Sequence, residues 1–281
     1  MKLLVTGRGT SGSWQIRGVQ LGQAIGATVQ PAALNVAGYD AAVLVKRPSP
    51  GLVERLHRAR VPIVWDIVDA YPQPAAFGWS RDQCMAWLRA QVAEIKPVAL
   101  VAATEAMATD CAWLGLPVLA LPHHSRPAQA LNAIHPEVRR IGYEGADHYL
   151  GRWLPLLEAE CAHRGWRFIV NPPRLADLDI VVCLRDSESY AAMRWKSGVK
   201  TANAIGSGTP AITGREAGCR EIAPPLTPSC WEYRDLANMF DRLEPRKTRQ
   251  ALASSYQSAA PALALPALAA VYREWLEGLP L

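Results

Sequence analysis

The sequence has no run long enough to cross a bilayer, no zinc-type cysteine spacing, no basic or acidic tail and no tandem repeat. A membrane helix needs roughly 20 consecutive apolar residues, whereas the apolar stretch Pro261–Val271 is short and broken by prolines. Met1–Val5 is apolar for only a few residues before Gly7 and Arg8, so it reads as a strand and not as a signal peptide. The six cysteines are scattered, with no CxxC and no Cys/His cluster, which argues against a disulfide scaffold or a zinc module. Reduced, buried thiols, no metal site and a cytoplasmic protein without a transmembrane segment are the expectation. Thirty Lys and Arg against 25 acids give a net charge of +5 and a pI near 9.0. That balance favours anionic partners such as nucleotides, nucleic acid or a phospholipid surface without choosing among them, and nothing in it sets the oligomeric state.

What is present is an α/β pattern. Continuous apolar runs at Lys2–Thr6, Ala41–Lys46, Pro62–Ile67, Ala99–Ala103 and Val118–Leu121 suit strands buried on both faces of a parallel sheet. Helical periodicity fills the intervals Trp14–Ile25, Gly51–Ala59, Arg81–Ile95 and Glu105–Leu114. The pattern pauses at the proline-punctuated "LPHHSRPAQALNAIHP", which reads as a linker. It resumes with strands at Arg139–Tyr143, Arg167–Val170, Leu178–Leu184 and Ala211–Thr213 and a helix over Tyr149–His163. The organisation expected is two Rossmann-like domains, 1–125 and 126–262, followed by a carboxyl-terminal helix within 263–281.

The glycine loop "GRGTSG" after the first strand places Gly9, Thr10, Ser11 and Gly12 ahead of a helix that starts at Trp14. In a dinucleotide fold such glycines let the backbone approach a pyrophosphate, but an acid is then needed about 20 residues on for the ribose. That region reads "VQPAALN", so NAD(P) binding is disfavoured and a plain ligand loop remains. "WDIVDAY" sets Asp66 and Asp69 at a strand's carboxyl end, the ligand side of open α/β sheets, where either could orient a hydroxyl, take its proton or cap a loop. His123 and His124 follow another strand; one of them facing a ligand as donor or base is an alternative to simple burial. "RRIGYEG" repeats the strand-then-glycine arrangement, with Gly142 and Gly145 keeping the turn open and Tyr143 and Glu144 as candidate ligand contacts.

"KSGVKTANAIGSGTP" is the most informative stretch. A helix starting near Ser197 or Gly198 puts Lys196 and Lys200 on one face, Ser197 and Thr201 beside them, and Asn203 a turn further on. Lysine in a first turn opposes the helix macrodipole, so the arrangement makes sense if free N–H groups, hydroxyls and ammonium groups converge on a phosphate. Arg185 and Glu188 of "LRDSESY" border the same place. The alternative is a solvated lysine pair on a surface helix.

In "KTANAIGSGTPAITGREAGCREI", and in the order of the amino-terminal motifs, the chain over about residues 1 to 222 resembles GT-B-fold glycosyltransferases that use nucleotide sugars, in particular their retaining branch. The resemblance implies two Rossmann-like domains with a cleft between them, the donor nucleotide held mainly by the second and the acceptor by the first. It implies hexosyl or pentosyl transfer with no permanently bound cofactor, a nucleotide-diphosphate sugar (a UDP-sugar first) being the co-substrate. The family's basic donor contacts map onto Lys200 with Arg185 or Lys196, and its histidine onto His123 or His124. On this basis Asp69, His123 and Lys200 are the catalytic candidates, and the first glycine loop with Trp14, Asp66 and His124 lies on the acceptor side. Two departures stand out: Asn203 and Trp195 occupy the positions of the retaining branch's two glutamates, and "GYEG" replaces its Arg and Lys after the first strand of the second domain. The hydroxyl acceptor is a saccharide, a lipid-linked glycan or a hydroxymethylated base in DNA, the last calling on Trp14, Trp65, Tyr71, Trp79 and the Arg55–Arg60 helix to hold a flipped base. The alternatives are a NAD(P)-dependent or epimerase-like enzyme and a non-catalytic nucleotide binder.

Overall fold

The computed structural model describes residues 1–72 and 78–281. It divides into two compact units: Met1–His123 with Ser189–Ser197 and Leu265–Leu281, and His124–Glu188 with Gly198–Ala264. The short segment 189–197, expected in the second domain, is thus counted with the first unit, as is the carboxyl-terminal helix.

In the first unit β1 (Leu3–Gly7), β2 (Thr28–Val29), β3 (Ala41–Val45), β4 (Ile63–Asp66), β5 (Ala99–Ala102) and β6 (Val118–Ala120) form one sheet in the order β2-β1-β3-β4-β5-β6. All its pairings are parallel. Because side chains alternate along a strand, the apolar runs feed two cores. Leu4, Leu44, Trp65 and Leu100 pack on one face beneath Leu56, Leu88 and Met107, while Leu3, Val5, Val43 and Val101 pack on the other. That second face also buries Trp14 and Leu21, together with Leu268, Tyr272 and Leu276 of the helix Leu265–Glu277. The helix Arg81–Ile95 starts with a capping box, Ser80 accepting from the Gln83 N–H at 3.3 Å and Gln83 accepting from the Ser80 N–H at 2.8 Å.

The segment 189–197 is fastened to this unit by Asp110. Its buried carboxylate accepts from Tyr190 Oη at 2.9 Å, Arg194 Nε at 2.8 Å and Nη2 at 2.9 Å, and Trp195 Nε1 at 2.8 Å. The helix Tyr190–Trp195 that carries these groups was not foreseen; Ser189 caps it by accepting from the Ala192 N–H at 3.2 Å.

The second unit has a four-stranded parallel sheet, β7 (Arg140–Tyr143), β8 (Arg167–Val170), β9 (Ile180–Cys183) and β10 (Ala211–Thr213), in the order β10-β9-β7-β8. Ile141, Ile180, Val182 and Ile212 form its core with Leu157, Ile205, Phe240 and Tyr256. The helix expected from Tyr149 begins only at Trp153. Gly151 just before it has φ +49°, and a Cβ there would lie 2.4 Å from the Asp186 carboxylate. The stretch read as a linker is bound to this unit, with Ser125 N–H donating to Leu263 O at 2.9 Å and Asn132 N–H to Ser207 O at 2.8 Å. All six cysteines are buried and unbridged. Among the described residues no helix is long and apolar enough to cross a membrane, and no group of three His, Cys, Asp or Glu side chains is placed to hold a metal ion.

Candidate functional site

Strand order in the second unit reverses between β7 and β9, each reached from a different side. Open α/β sheets bind ligands beyond the carboxyl ends of their strands at such a reversal. Here those ends present Tyr143, Glu144 and Gly145 after β7, Arg185 after β9, and Gly214, Arg215 and Glu216 after β10. The helix Val199–Ser207 brings Lys200 to the same crest. Its Nζ lies 4.7 Å from the Tyr143 ring centroid, and a Cβ on Gly145, which has φ +128°, would come 3.3 Å from Lys200 Cε. The glycine therefore leaves the lysine its path. Arg185 stacks on Tyr149 at 4.4 Å.

Acidic groups complete the rim. Asn203 Nδ2 donates to Glu144 Oε2 at 2.9 Å, and Asn203 Oδ1 accepts from the Arg126 N–H at 2.8 Å. Arg126 closes the triangle with an ion pair to Glu144. Beside Asn203, whose carbonyl accepts from Gln129 Nε2 at 3.2 Å, a pocket of about 200 Å³ opens between Arg126, Gln129, Pro173, Arg174 and Leu175. Burial raises the Glu216 carboxyl above its ordinary range against the pull of Arg185, Lys200 and Arg215, and burial pushes the Tyr143 hydroxyl up to about 12. Arg126, Gln129 and Glu216 were missed by the sequence reading; the glycine turn after β10 was the one signal for Glu216.

Several expected contacts lie elsewhere. Lys196 and Lys200 do not share a helix face: Lys196 ends the helix Tyr190–Trp195 in extended backbone, its ammonium paired with Asp69, and Ser197 follows it in the first unit. Thr201 is fully buried on the inner side of its helix, near Cys183 and Cys219. Gly142 is a packing glycine, since a Cβ there would meet Leu178 at 2.3 Å. Glu188, by contrast, does border the crest as expected: it is exposed, pairs with Arg215 and lines one small pocket with Arg185, Arg215 and Glu216.

In the first unit, Asp66 is sealed, 3.7 Å from an equally buried Arg17 whose guanidinium also reaches Leu121 O. Burial raises its carboxyl, with Arg17 opposing. Its carboxylate is thus paired within the first unit and fully buried. Asp69 is buried between Lys46, at 2.7 Å, and Lys196. Burial alone would raise its carboxyl, but Lys196 and Lys46 overcome that and hold it well below the usual range, which makes it a poor base. Trp14 belongs to the core, its ring filling the space over Gly18, where a Cβ would lie 2.4 Å away. Trp65 and Tyr71 are also buried, so of the rings considered for a flipped base only Trp79 is not in the core. Gly9 has φ +82° and abuts Pro31, Thr10 is exposed, Ser11 Oγ accepts from the Trp14 N–H at 3.2 Å, and Gly12 has open space around it. His123 and His124 are both buried and fall in different units; His124 Nδ1 lies 2.8 Å from Ser125 O.

No protein-family model matches the chain, and no curated protein does. Solved structures do. TarM superposes with a TM-score of 0.63 at 12% identity over 86% of this chain and 56% of its own. The pneumococcal O-GlcNAc transferase GtfA, in complex with UDP and GlcNAc, gives 0.59 at 10% identity over 85% of this chain and 57% of its own. Sucrose-phosphate synthase from Thermosynechococcus elongatus gives 0.67 at 10% identity, covering 99% of this chain and 100% of its own. The chain thus spans just over half the length of the first two. At these identities the likeness is one of fold, and that fold is GT-B, as the order of motifs led us to expect.

Proposed function

We propose that this GT-B chain transfers a glycosyl group from a nucleoside-diphosphate sugar, a UDP-sugar in the first instance, to a hydroxyl acceptor. The observation that carries this reading is Lys200 beside Tyr143 and the glycine turn Gly145, and Arg185 stacked on Tyr149, both cations pulling on the buried Glu216 carboxyl at the carboxyl ends of the second unit's strands, with the amino end of the helix Val199–Ser207 carrying Lys200. Positive groups and free N–H donors fixed before the donor arrives suit a leaving diphosphate, because they need no reorganisation as charge builds on it. The pocket between Arg126 and Leu175 takes the nucleoside, and the Glu144 carboxylate, steadied by Asn203 and Arg126, accepts from ribose or sugar hydroxyls. A carboxylate thus reaches that rim from β7 although position 203 carries an amide.

Transfer with retention is the stereochemical course we favour. Inversion needs a base for the acceptor hydroxyl, and of the groups considered for it Asp66 is fully buried against Arg17, Asp69 is paired with two lysines that lower its proton affinity, and His123 and His124 are both buried. With retention the departing phosphate itself accepts that proton. The neighbours' printed activities, O-GlcNAc transfer and sucrose-phosphate synthesis, agree with a transferase. The test is incubation with UDP-, GDP- and dTDP-sugars and pooled acceptors, read by mass spectrometry and by anomeric NMR of the product. Stabilisation by NAD(P) with no nucleotide sugar turned over would sink the reading.

A further inference from the structure

At the other end of the second unit's sheet, where its strands begin, two arginines stand side by side without a counter-charge. Arg140 opens β7 and Arg167 opens β8, and the two are register partners in that parallel pair. Neighbouring strands lie about 4.8 Å apart, and like charges placed directly opposite each other weaken a sheet. Among the described residues neither guanidinium has a hydrogen-bond or ion-pair partner. Their basic neighbours on this side are matched: Arg139 pairs with Glu137 at 2.7 Å, and Arg164 with Glu160 at 2.7 Å, Asp241 at 2.6 Å and Glu244 at 3.3 Å.

Both arginines line an open hollow of about 620 Å³ together with His135, Glu137, Arg139 and Asp179. Asp179, only 3% exposed, accepts from the Arg139 and Arg140 N–H groups at 2.8 Å each and lies 2.9 Å from His135 Nδ1. Its two oxygens are thus taken up by backbone and ring, and neither guanidinium reaches them. Arg249, fully buried, holds the same segment from behind by donating to His135 O and Pro136 O, each at 3.0 Å. The bond at Nδ1 fixes the His135 ring and leaves Nε2 as the nitrogen open to a ligand, on a side chain that is 42% exposed.

We infer that the hollow between Arg140 and Arg167 binds a phosphate group, free or carried on a small phosphomonoester, at a site separate from the donor crest. Two guanidinium forks suit a tetrahedral oxyanion, which accepts charge-assisted hydrogen bonds from both. The His135 Nε2 adds a third contact, donating or accepting according to which partner carries the proton. The volume left over falls in the range of small-molecule sites. A polyanion would need positive charge to run on along the surface, and on this side it stops, since Arg139 and Arg164 are already matched by acids.

Histidine side-chain NMR of the full chain tests the inference at the site itself, with the His135 signals assigned through His135→Asn. The titrants are inorganic phosphate, AMP, adenosine and, at matched ionic strength, sodium chloride. Phosphate is expected to shift His135 saturably with a half-maximal effect at about 1 mM, the strength of a few charge-assisted contacts, whereas adenosine and chloride do not. AMP binding more tightly than phosphate makes a phosphomonoester the ligand; equal or weaker binding makes it the free ion. Arg167→Gln, a change at an exposed position, should weaken phosphate about tenfold, and Arg140→Gln is read in its place if that variant does not fold. Lys200→Ala, at the donor crest, should leave the His135 titration as it is. The inference is overturned if His135 shows no saturable shift, if the folded glutamine variant binds phosphate unchanged, or if a short DNA duplex moves His135 and phosphate does not.

Discussion

Lys200→Ala is the sharpest probe of the donor site. The ammonium lies 4.7 Å from the Tyr143 ring centroid and runs past Gly145, so its stem is guided while its head faces the crest. A hydrogen bond to a charged group is worth about 1.5–3 kcal/mol, which converts to roughly 10- to 100-fold in affinity for UDP. Uridine, lacking phosphate, serves as the internal control and should bind both proteins alike. Raising salt from about 50 to 200 mM should weaken UDP binding to the native chain more than to the variant, because part of the attraction is screened charge. Lys200→Arg should retain most of the affinity and Lys247→Ala, an exposed lysine on the helix Arg246–Ala259, all of it. The assay is isothermal titration, with melting curves to confirm folding. A folded Lys200→Ala protein that binds UDP within twofold of native would refute the phosphate site.

Asn203→Asp restores the carboxylate that the resemblance would place there, yet it sets two carboxylates where Asn203 Nδ2 now meets Glu144 Oε2 at 2.9 Å; a loss of about 1–3 kcal/mol in urea unfolding is expected, largely reversed by adding Glu144→Gln. Asp110→Ala strands Tyr190, Arg194 and Trp195, and should cost roughly 2–3 kcal/mol, with proteolysis near residue 190 as a second readout. Gly198→Ala puts a Cβ 2.0 Å from Gly218 O; the helix start must shift, so UDP binding should fall even where the chain still folds. Asp186 is held down to about 2, first by the Arg152 side chain and also by Tyr233. Being depressed in the folded state, it contributes stability that is present above its unfolded value of 3.8 and lost as pH falls towards about 2. Asp186→Asn should therefore be less stable than native at pH 6, and the gap should narrow across that window; a constant gap would refute the assignment.

The parallel sheets were legible because strands buried on both faces must be apolar throughout, and runs such as Ala41–Val45 leave no other reading. β2 was missed since Thr28–Val29 is too short to carry a pattern, and the helix Tyr190–Trp195 because its reason for forming, the Asp110 carboxylate, lies some eighty positions earlier. That same distance hid the fate of Lys196. Four residues ahead of Lys200 it looked like a partner on one helix, but the chain breaks into extended backbone at Lys196 and restarts the helix only after Gly198, so the two ammonium groups serve different neighbours.

Charge at the donor crest follows the same logic of exchange between elements. The turn after β7 reads Tyr143-Glu144-Gly145 where the resemblance leads one to expect Arg and Lys, and the helix carries Asn203 where it leads one to expect Glu. Taken singly, each looks like a lost contact. In space the signs have traded places: the helix supplies the cation, Lys200, over a glycine turn that leaves it room, and the turn supplies the anion, Glu144, held by the asparagine that stands in the carboxylate's position. Such a swap keeps one positive and one negative group at the rim while avoiding two like charges at hydrogen-bond distance, which is why either substitution alone would be destabilising and the pair is not. Combined in one protein, Glu144→Lys and Asn203→Glu should therefore recover stability that each loses alone, measured as a coupling energy of about 1–3 kcal/mol in a double-mutant cycle; strict additivity would show that Glu144 and Asn203 do not act as a pair.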